Sequence, residues 1–264
     1  MNVTLITGTT SGIGEALAHQ LAAKKHNLLL VARTEKKLKE QSQYLSSQFG
    51  IVADFIVADL GKPGGAFYVY EQAKKKNLNV NILVNNAGIG SSGEFVTNNL
   101  QSELELLQLN NSSLVALCSL FLADMKSTGS GTIINVGSMA SFFPIPYMSV
   151  YAASKMFVRS FTQALTEECK PYGIKVMLFC PGFTSTNFMN TSANNNAWGK
   201  ILTQGAIEQT PEQVAVQVIK ALERRKSIHV SGFQNAMSAK LGSLIPSTTL
   251  ARVFAQRKRK EMGL

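Results

Sequence analysis

Tyr151 and Lys155 stand four residues apart in Tyr151-Ala152-Ala153-Ser154-Lys155, which puts a phenol and an ammonium on one face of a helix. A phenol with its ordinary pKa of ~10 is a poor acid–base group near neutrality. A cation beside it favours the phenolate and is expected to draw that pKa down. Ser138 precedes the tyrosine by thirteen residues, at the end of the apolar run Thr132–Gly137. A hydroxyl there could hold a carbonyl oxygen alongside the phenol. Taken singly, the tyrosine reads as a packed residue and the lysine as a solvated one. A second pattern near the N terminus makes coincidence a poor explanation.

That pattern is Thr7-Gly8-Thr9-Thr10-Ser11-Gly12-Ile13-Gly14, between a β-type run and a helix-type run. Glycine at such a turn lets the backbone approach a pyrophosphate, and the helix N terminus offers free N–H groups and positive dipole charge. Gly8, Thr10, Ser11, Gly12, Ile13 and Gly14 are therefore candidate dinucleotide contacts. The spacing is Gly-x3-Gly-x-Gly, not the common Gly-x-Gly-x2-Gly, and a turn whose glycines serve packing alone is the competing reading. At the end of the second apolar run an NAD site would carry a carboxylate for the ribose 2′-hydroxyl. Here Ala32-Arg33 occupies that place, and the first acid is Glu35. An arginine fork suits a 2′-phosphate, so NADPH/NADP+ is the expected cofactor. The plainer alternative is a solvated arginine beside Lys36, Lys37 and Lys39.

These groups need a scaffold, and the hydropathy pattern supplies one. Strand-like runs fall at Val3–Thr7, Asn27–Ala32, Val52–Val57, Asn81–Asn85, Thr132–Gly137, Ile174–Cys180 and Ile228–Val230. They are near-continuous apolar runs, as in strands buried on both faces, and segments with helical spacing separate them. The fold class expected is α/β: a doubly wound, Rossmann-type parallel sheet of about seven strands with helices on both faces. A tight turn is expected at Gly61–Gly65, and a polar surface loop over Thr191–Asn196.

The chain has 264 residues, 45% hydrophobic and 16% charged, which excludes a disordered or coiled-coil chain and fits one large domain. Mean hydropathy is +0.06. The longest apolar stretch, Leu114–Ala123, is broken by Ser119 and falls short of the ~20 residues of a membrane span. No basic leader precedes Val3, Leu5 and Ile6, and Cys118, Cys169 and Cys180 lack metal-ligand spacing. They read as buried thiols in a reducing compartment, so a cytoplasmic location is expected.

The glycine turn, Asn85-Asn86-Ala87-Gly88, Asn110, Ser138, Tyr151, Lys155 and Pro181-Gly182 occur in an order and spacing that resembles the short-chain dehydrogenase/reductase superfamily, in particular its NADP(H)-dependent branch. The likeness covers roughly Met1 to Gly232 and is specific in combination. It implies a catalytic tetrad of Asn110, Ser138, Tyr151 and Lys155, with Asn110 preferred over its neighbour Asn111 by spacing to Ser138. It also implies that Asn86, Ala87 and Gly88 support the cofactor and that Asp59 and Leu60 flank its adenine. Pro181, Gly182, Thr184 and Thr186 would then follow the nicotinamide side. In the chemistry so implied, Tyr151 exchanges a proton with the substrate oxygen, Lys155 lowers its pKa and holds the nicotinamide ribose, Ser138 polarises the carbonyl, and Asn110 holds a relay water.

Met139, Phe142, Phe143, Pro144, Ile145, Pro146, Tyr147 and Met148, with Phe183, Phe188, Met189 and Trp198, suggest a small apolar carbonyl substrate, although core packing accounts for any one of them equally well. The alternative function is a non-catalytic dinucleotide-binding regulator, which would not need the acid–base set. The resemblance further implies a homodimer or homotetramer in which helices over Leu104–Met125 and Val150–Tyr172 pair with their copies.

The departure from the family pattern is the C terminus, so the division expected is a catalytic domain over 1–234 and a basic extension over 235–264. Net charge is +10, yet residues 220–260 alone hold ten basic residues against the single acid Glu223. Only Phe233 and Phe254 are aromatic there, too few to stack bases, so no nucleic-acid partner is expected. Pro246 separates two helix-compatible stretches, Phe233–Ile245 and Ser247–Met262, the second with Leu250, Val253 and Phe254 on one face and Arg252 and Arg257–Lys260 around it. Three readings stand: contact with an anionic membrane, guidance of an acidic carrier or hydrophobic substrate toward the pocket, or an apolar side that covers the substrate cleft or a subunit contact with its charges simply solvated.

Overall fold

The computed structural model describes residues 1–186, Phe188 and 208–262. The strands are β1 (Asn2–Thr7), β2 (Leu28–Ala32), β3 (Ala53–Val57), β4 (Asn79–Asn85), β5 (Gly131–Val136), β6 (Ile174–Cys180) and β7 (Ile228–Val230). They form one sheet in the order β3-β2-β1-β4-β5-β6-β7, parallel at every pairing. Every expected strand is present, displaced by no more than two residues at an end. This is a Rossmann-type single domain.

Period-two alternation divides the apolar runs between two cores. Leu5, Leu29, Leu83, Ile133 and Leu178 face one layer, with α3 (Gly65–Lys75), α5 (Ser113–Thr128) and α6 (Ser149–Cys169). Ile6, Leu30, Val84, Ile134 and Phe179 face the other, with α1 (Gly12–Ala23), α2 (Glu35–Phe49) and α7 (Pro211–Glu223). The chain winds outward from β1 to β3 and then returns to β4 on the other side of β1. The carboxyl ends of β1 and β4 thus diverge into the crevice where open α/β sheets place ligands.

The helix preceding β5 differs from the sequence reading. It runs unbroken over Leu100–Thr128, as α4 (Leu100–Leu107), a π-turn (Gln108–Ser112) and α5, and its most apolar 18-residue stretch has a mean hydropathy of 1.5. By length and composition it could cross a membrane, so the short apolar core at Leu114–Ala123 understated it. Its inner face instead packs on the sheet through Leu114, Leu117, Cys118, Phe121 and Met125. On its outer side Leu100, Leu104 and Leu107 are exposed, as are Met156 and Phe157 of α6.

After β7 come α8 (Phe233–Gly242) and α9 (Ser247–Met262), the first three residues shorter than expected. They are fastened to the domain. A Cβ on Gly182 would lie 2.1 Å from Asn235 Nδ2, and the Phe143 and Phe254 rings meet edge-on at 6.2 Å. The expected turn before α3 is present, with Gly64 at φ +84°. Thr191–Asn196, Met189 and Trp198 lie outside the described residues. The three cysteines are free thiols, all buried.

Candidate active site

The crevice is stapled at its base by the end of β1. Thr7 Oγ1 accepts hydrogen bonds from the backbone N–H groups of Asn86 (3.0 Å) and Ala87 (2.9 Å), and the Asn86 amide donates to Thr7 O (2.9 Å) and Gly8 O (3.3 Å). The two glycine-bearing turns therefore hold each other. Gly8 and Gly12 have φ of +72° and +58°, which favours glycine. Gly14 must be glycine for packing, since a Cβ there would sit 2.2 Å from Gly8 O.

At the start of α1 the residue Ser11 is extended and its side chain caps nothing, so the first-turn N–H groups of Gly12, Ile13 and Gly14 have no side-chain partner from the cap. Thr9 adds a signal that sequence reasoning missed: its buried Oγ1 has no hydrogen-bond partner. An uncapped helix end and an orphaned hydroxyl behind positive-φ glycines fit the phosphates of a dinucleotide. A cavity of about 800 Å³ opens beside the turn, lined by Thr10, Ser11, Gly12, Lys37, Gln41 and Thr186 among others. Thr186 closes on the turn, its Cγ2 lying 3.0 Å from where a Gly12 Cβ would be. Arg33, Asp59, Asn86, Gly88 and the tyrosine–lysine pair are not part of that lining.

Arg33 is exposed, and among the described residues no carboxylate pairs with it. Asp59 turns its carboxylate back to Gly61 N (2.9 Å), and Leu60 is buried in the core. Past β6, Pro181 O accepts from Met139 N, Thr184 Oγ1 donates to Gly182 O, and Thr184 bridges to Gln209. The loop along the expected nicotinamide side is thereby tied to the turn carrying Ser138.

The acid–base residues meet at the ends of β5 and α6. Ser138 caps the short turn Met139–Ser141: its Oγ accepts from Ala140 N (3.1 Å), while Ser141 Oγ accepts from Ser138 N (3.1 Å). The Tyr151 phenol is buried, with the Ser138 side chain near enough to favour its charged form. Lys155, buried one turn on, donates to Val136 O at 3.1 Å, with Nζ 6.0 Å from the tyrosine ring centre. The phenol pKa is pushed up to about 12 by burial, which outweighs the lowering by Ser138. Burial likewise draws Lys155 down to about 8. This corrects the expectation of a lowered phenol pKa. Sequence spacing gives proximity, but loss of solvent acts on both groups and disfavours each charged form.

Asn110 sits in the π-turn, a feature common at functional sites. Its Oδ1 accepts from Ile89 N (3.0 Å), and its Nδ2 donates to Ile89 O (2.9 Å) and Ser154 Oγ (3.1 Å). Ser154 donates in turn to Tyr151 O (2.7 Å). The Asn110 side-chain amide thus clamps the loop after β4 to the tyrosine's own helix. Asn111 donates only to Ser154 O (2.9 Å). Sequence reasoning also missed Asn135 and Thr162: Asn85 Nδ2 donates to Asn135 Oδ1 (2.8 Å) and Asn135 Nδ2 to Thr162 Oγ1 (3.0 Å), tying β4, β5 and α6. The one sign of it was an asparagine at or near the end of the apolar part of each of two neighbouring strands.

A family model of short chain dehydrogenases matches residues 2–197. The chain belongs to the short-chain dehydrogenase family. It is 31% identical over 275 residues to dehydrogenase/reductase SDR family member 7B of Xenopus tropicalis, covering 99% of this chain and 87% of that one. With a very-long-chain 3-oxoacyl-CoA reductase of Anas platyrhynchos it shares 31% over 192 residues, 71% of this chain and 61% of the relative. A short-chain dehydrogenase from Sphingobium yanoikuyae in complex with NADPH superposes with a TM-score of 0.80 at 27% identity, covering 92% and 95% of the two chains. The protein is thus an oxidoreductase of a family that uses a nicotinamide cofactor.

The wall around Tyr151 is apolar. Leu106, Ala140, Met148 and Ala152 form one buried cluster with it, flanked by Ile89, Ile145, Val150 and Phe188. Two candidates for this wall turn elsewhere: Phe142 packs under Arg159 (4.4 Å) and Phe143 under α8 and α9. Tyr147 takes φ +67°, an unusual value for a bulky residue and a mark of strain beside a site.

The glycine turn supplies a direct check. Gly14→Ala should lower dinucleotide affinity at least ~10-fold in a fluorescence titration and cost ~1–3 kcal/mol of stability in urea unfolding, because its methyl group can be accommodated only by moving the Gly8 backbone. An alanine variant with wild-type affinity and stability would show that the turn does not depend on that close contact.

Proposed function

We propose that the protein is an NADPH-dependent reductase that converts an apolar ketone, keto-acyl compound or aldehyde to an alcohol. The observation that carries this is the buried Tyr151 phenol, close to Ser138, one helical turn from Lys155 and enclosed by apolar side chains. The bound nicotinamide supplies hydride to the carbonyl carbon. Ser138, fixed by its reciprocal cap with Ser141, presents a hydroxyl to the carbonyl oxygen. Tyr151, protonated throughout the neutral range because burial raises its pKa, donates the proton to that oxygen. Lys155 stabilises the phenolate that develops as the proton leaves, and this electrostatic help is large in a dry pocket. Asn110 holds the loop after β4 against α6 and so keeps the tyrosine's helix in register.

Arg33 supports the choice of phosphorylated cofactor. It is solvent-facing at the end of β2, without an acidic partner among the described residues and with no carboxylate at the ribose position. Homo-oligomerisation is part of the same proposal. Leu104, Leu107, Met156 and Phe157 give α4 and α6 an exposed apolar face, suited to the same face of a second copy.

Four measurements test these points. NADPH should bind at least ~10-fold tighter than NADH, about 1.4 kcal/mol, and Arg33→Ala should erase most of that difference; equal wild-type affinities would overturn the assignment. Tyr151→Phe should abolish ketone reduction and leave NADPH affinity nearly unchanged, since only a hydroxyl is removed. In wild type, reductive kcat/KM should be steady below pH ~8 and fall above it, because Lys155 is an ammonium below its pKa of about 8 and neutral above. Turnover by the phenylalanine variant, or a profile flat to pH ~10, would contradict the mechanism. Light scattering should give a multiple of the 28.6 kDa chain mass at micromolar concentration, and the monomer mass would refute self-association.

A further inference from the structure

Helix α8 is built inside out. Its small or polar residues Asn235, Ala236, Ala239 and Gly242 occupy the inward positions at helical spacing. Gly242 lies so close to Phe143 that a Cβ there would meet the ring at 2.0 Å. The large apolar residues point the other way: Phe233, Met237 and Leu241, with Leu244 just past the helix end, are 79%, 47%, 57% and 77% exposed. Single exposed apolar side chains are ordinary on a soluble surface, but a row of neighbours at i, i+4 and i+8 is not. Lys240 lies on the same face.

Helix α9 adds charge beside this row. Phe254 packs on the same Phe143 ring that Gly242 meets, so both helices lie over the loop that carries Phe143. Residues 233–262 hold six basic residues against the single acid Glu261, and Arg252, Arg259 and Lys260 are exposed. The amphipathic surface expected of α9 alone is modified: Phe254 turns to Phe143 while Val253 stays exposed, and most of the exposed apolar residues belong to α8.

We propose that α8 and α9 together dock this protein on an anionic lipid bilayer, with Phe233, Met237, Leu241 and Leu244 in the acyl boundary and the basic residues among the headgroups. The balance of charge selects this occupant. A twofold-related second copy would set one basic segment against another, whereas an anionic headgroup layer supplies the missing countercharge. The apolar row supplies what a merely charged surface lacks, since interfacial binding scales with buried apolar area as well as attraction to anionic lipid. Docking stands independently of the reductase reading. Where both hold, an apolar carbonyl compound dissolved in the bilayer would meet the protein beside the loop that leads through Ile145 and Met148 to Tyr151.

The test is vesicle flotation of the full chain with phosphatidylcholine alone and with phosphatidylserine added. Turnover of a small soluble ketone and light-scattering mass are measured in parallel. Wild type should float with the anionic vesicles at least ~10-fold more than with the neutral ones. Leu241→Asp combined with Leu244→Asp should abolish flotation while mass and soluble-ketone turnover stay at wild-type values. Arg252→Gln with Arg259→Gln and Lys260→Gln should remove the preference for anionic vesicles. Wild type that stays at the bottom of the gradient with anionic vesicles, or an aspartate variant that floats like wild type, overturns the proposal. A fall in mass of the aspartate variant also overturns it, by making the row a subunit contact. Should that variant unfold, Leu241→Ser with Leu244→Ser decides by the same readings. Loss of ketone turnover in wild type would count against the reductase and leave the flotation result standing.

Discussion

A buried ammonium is the most demanding feature of this fold. Lys155 has almost no contact with water and donates one hydrogen bond to protein, to Val136 O at the end of β5. Removing such a cation from water is costly, and the drop of its pKa to about 8 records that cost. What makes it tolerable is precise placement by neutral neighbours. The β5 carbonyl faces the ammonium, and the clamp from Ile89 through Asn110 and Ser154 to Tyr151 O fixes the turn of α6 on which it rides. Tyr151 shares the same dry pocket and is driven the opposite way, toward a protonated phenol. Desolvation thus leaves a proton donor beside a cation that titrates near neutrality.

That placement depends in turn on the sheet. The carboxyl ends of β1, β4, β5 and β6 deliver, in order, the glycine turn, Asn86 to Gly88, Ser138 and Pro181-Gly182. Buried polar links rather than charges hold those ends in register: Thr7 with Asn86 and Ala87 between β1 and the turn after β4, and Asn85 with Asn135 and Thr162 between β4, β5 and α6. Neutral hydrogen bonds suit this position, because a buried ion pair carries a desolvation penalty that its attraction often fails to recover. The ion pairs among the described residues, such as Lys24–Glu223 and Lys170–Glu167, are instead exposed and contribute little to stability.

Much of this was legible in the sequence because its signal is local. Strands buried on both faces are apolar runs, and all seven can be read as such; glycine spacing and the Tyr-x3-Lys pattern are likewise local. What could not be read depends on packing. Nothing in Gln108–Ser112 announces a π-turn, which arises where the long helix must pack on the sheet and also bring Asn110 to Ile89. Thr9 looks like any turn threonine until its hydroxyl is seen to lack a partner. The direction of the tyrosine pKa depends on solvent exclusion, about which the spacing of two residues is silent. Ser119 breaks the apolar run of α5 in sequence yet lies on its exposed side, so it does not interrupt the packed face.

The C-terminal segment shows most clearly how a tertiary contact can reverse a local pattern. By periodicity alone, Phe233, Met237 and Leu241 would be the buried side of α8. The space beneath is already filled by Phe143, and only a residue without a Cβ fits there; Gly242 meets that requirement and sets the rotation of the helix. Asn235, at the opposite end of α8, is held by Ser231 O at 2.8 Å and lies against Gly182 of the loop along the nicotinamide side. One helix therefore touches both walls of the site, the loop after β6 at Gly182 from one end and the segment after Ser138 at Phe143 from the other. Any force that tilts α8 acts on both walls together, and the rotation that exposes its apolar row is the one that the Gly242–Phe143 contact requires.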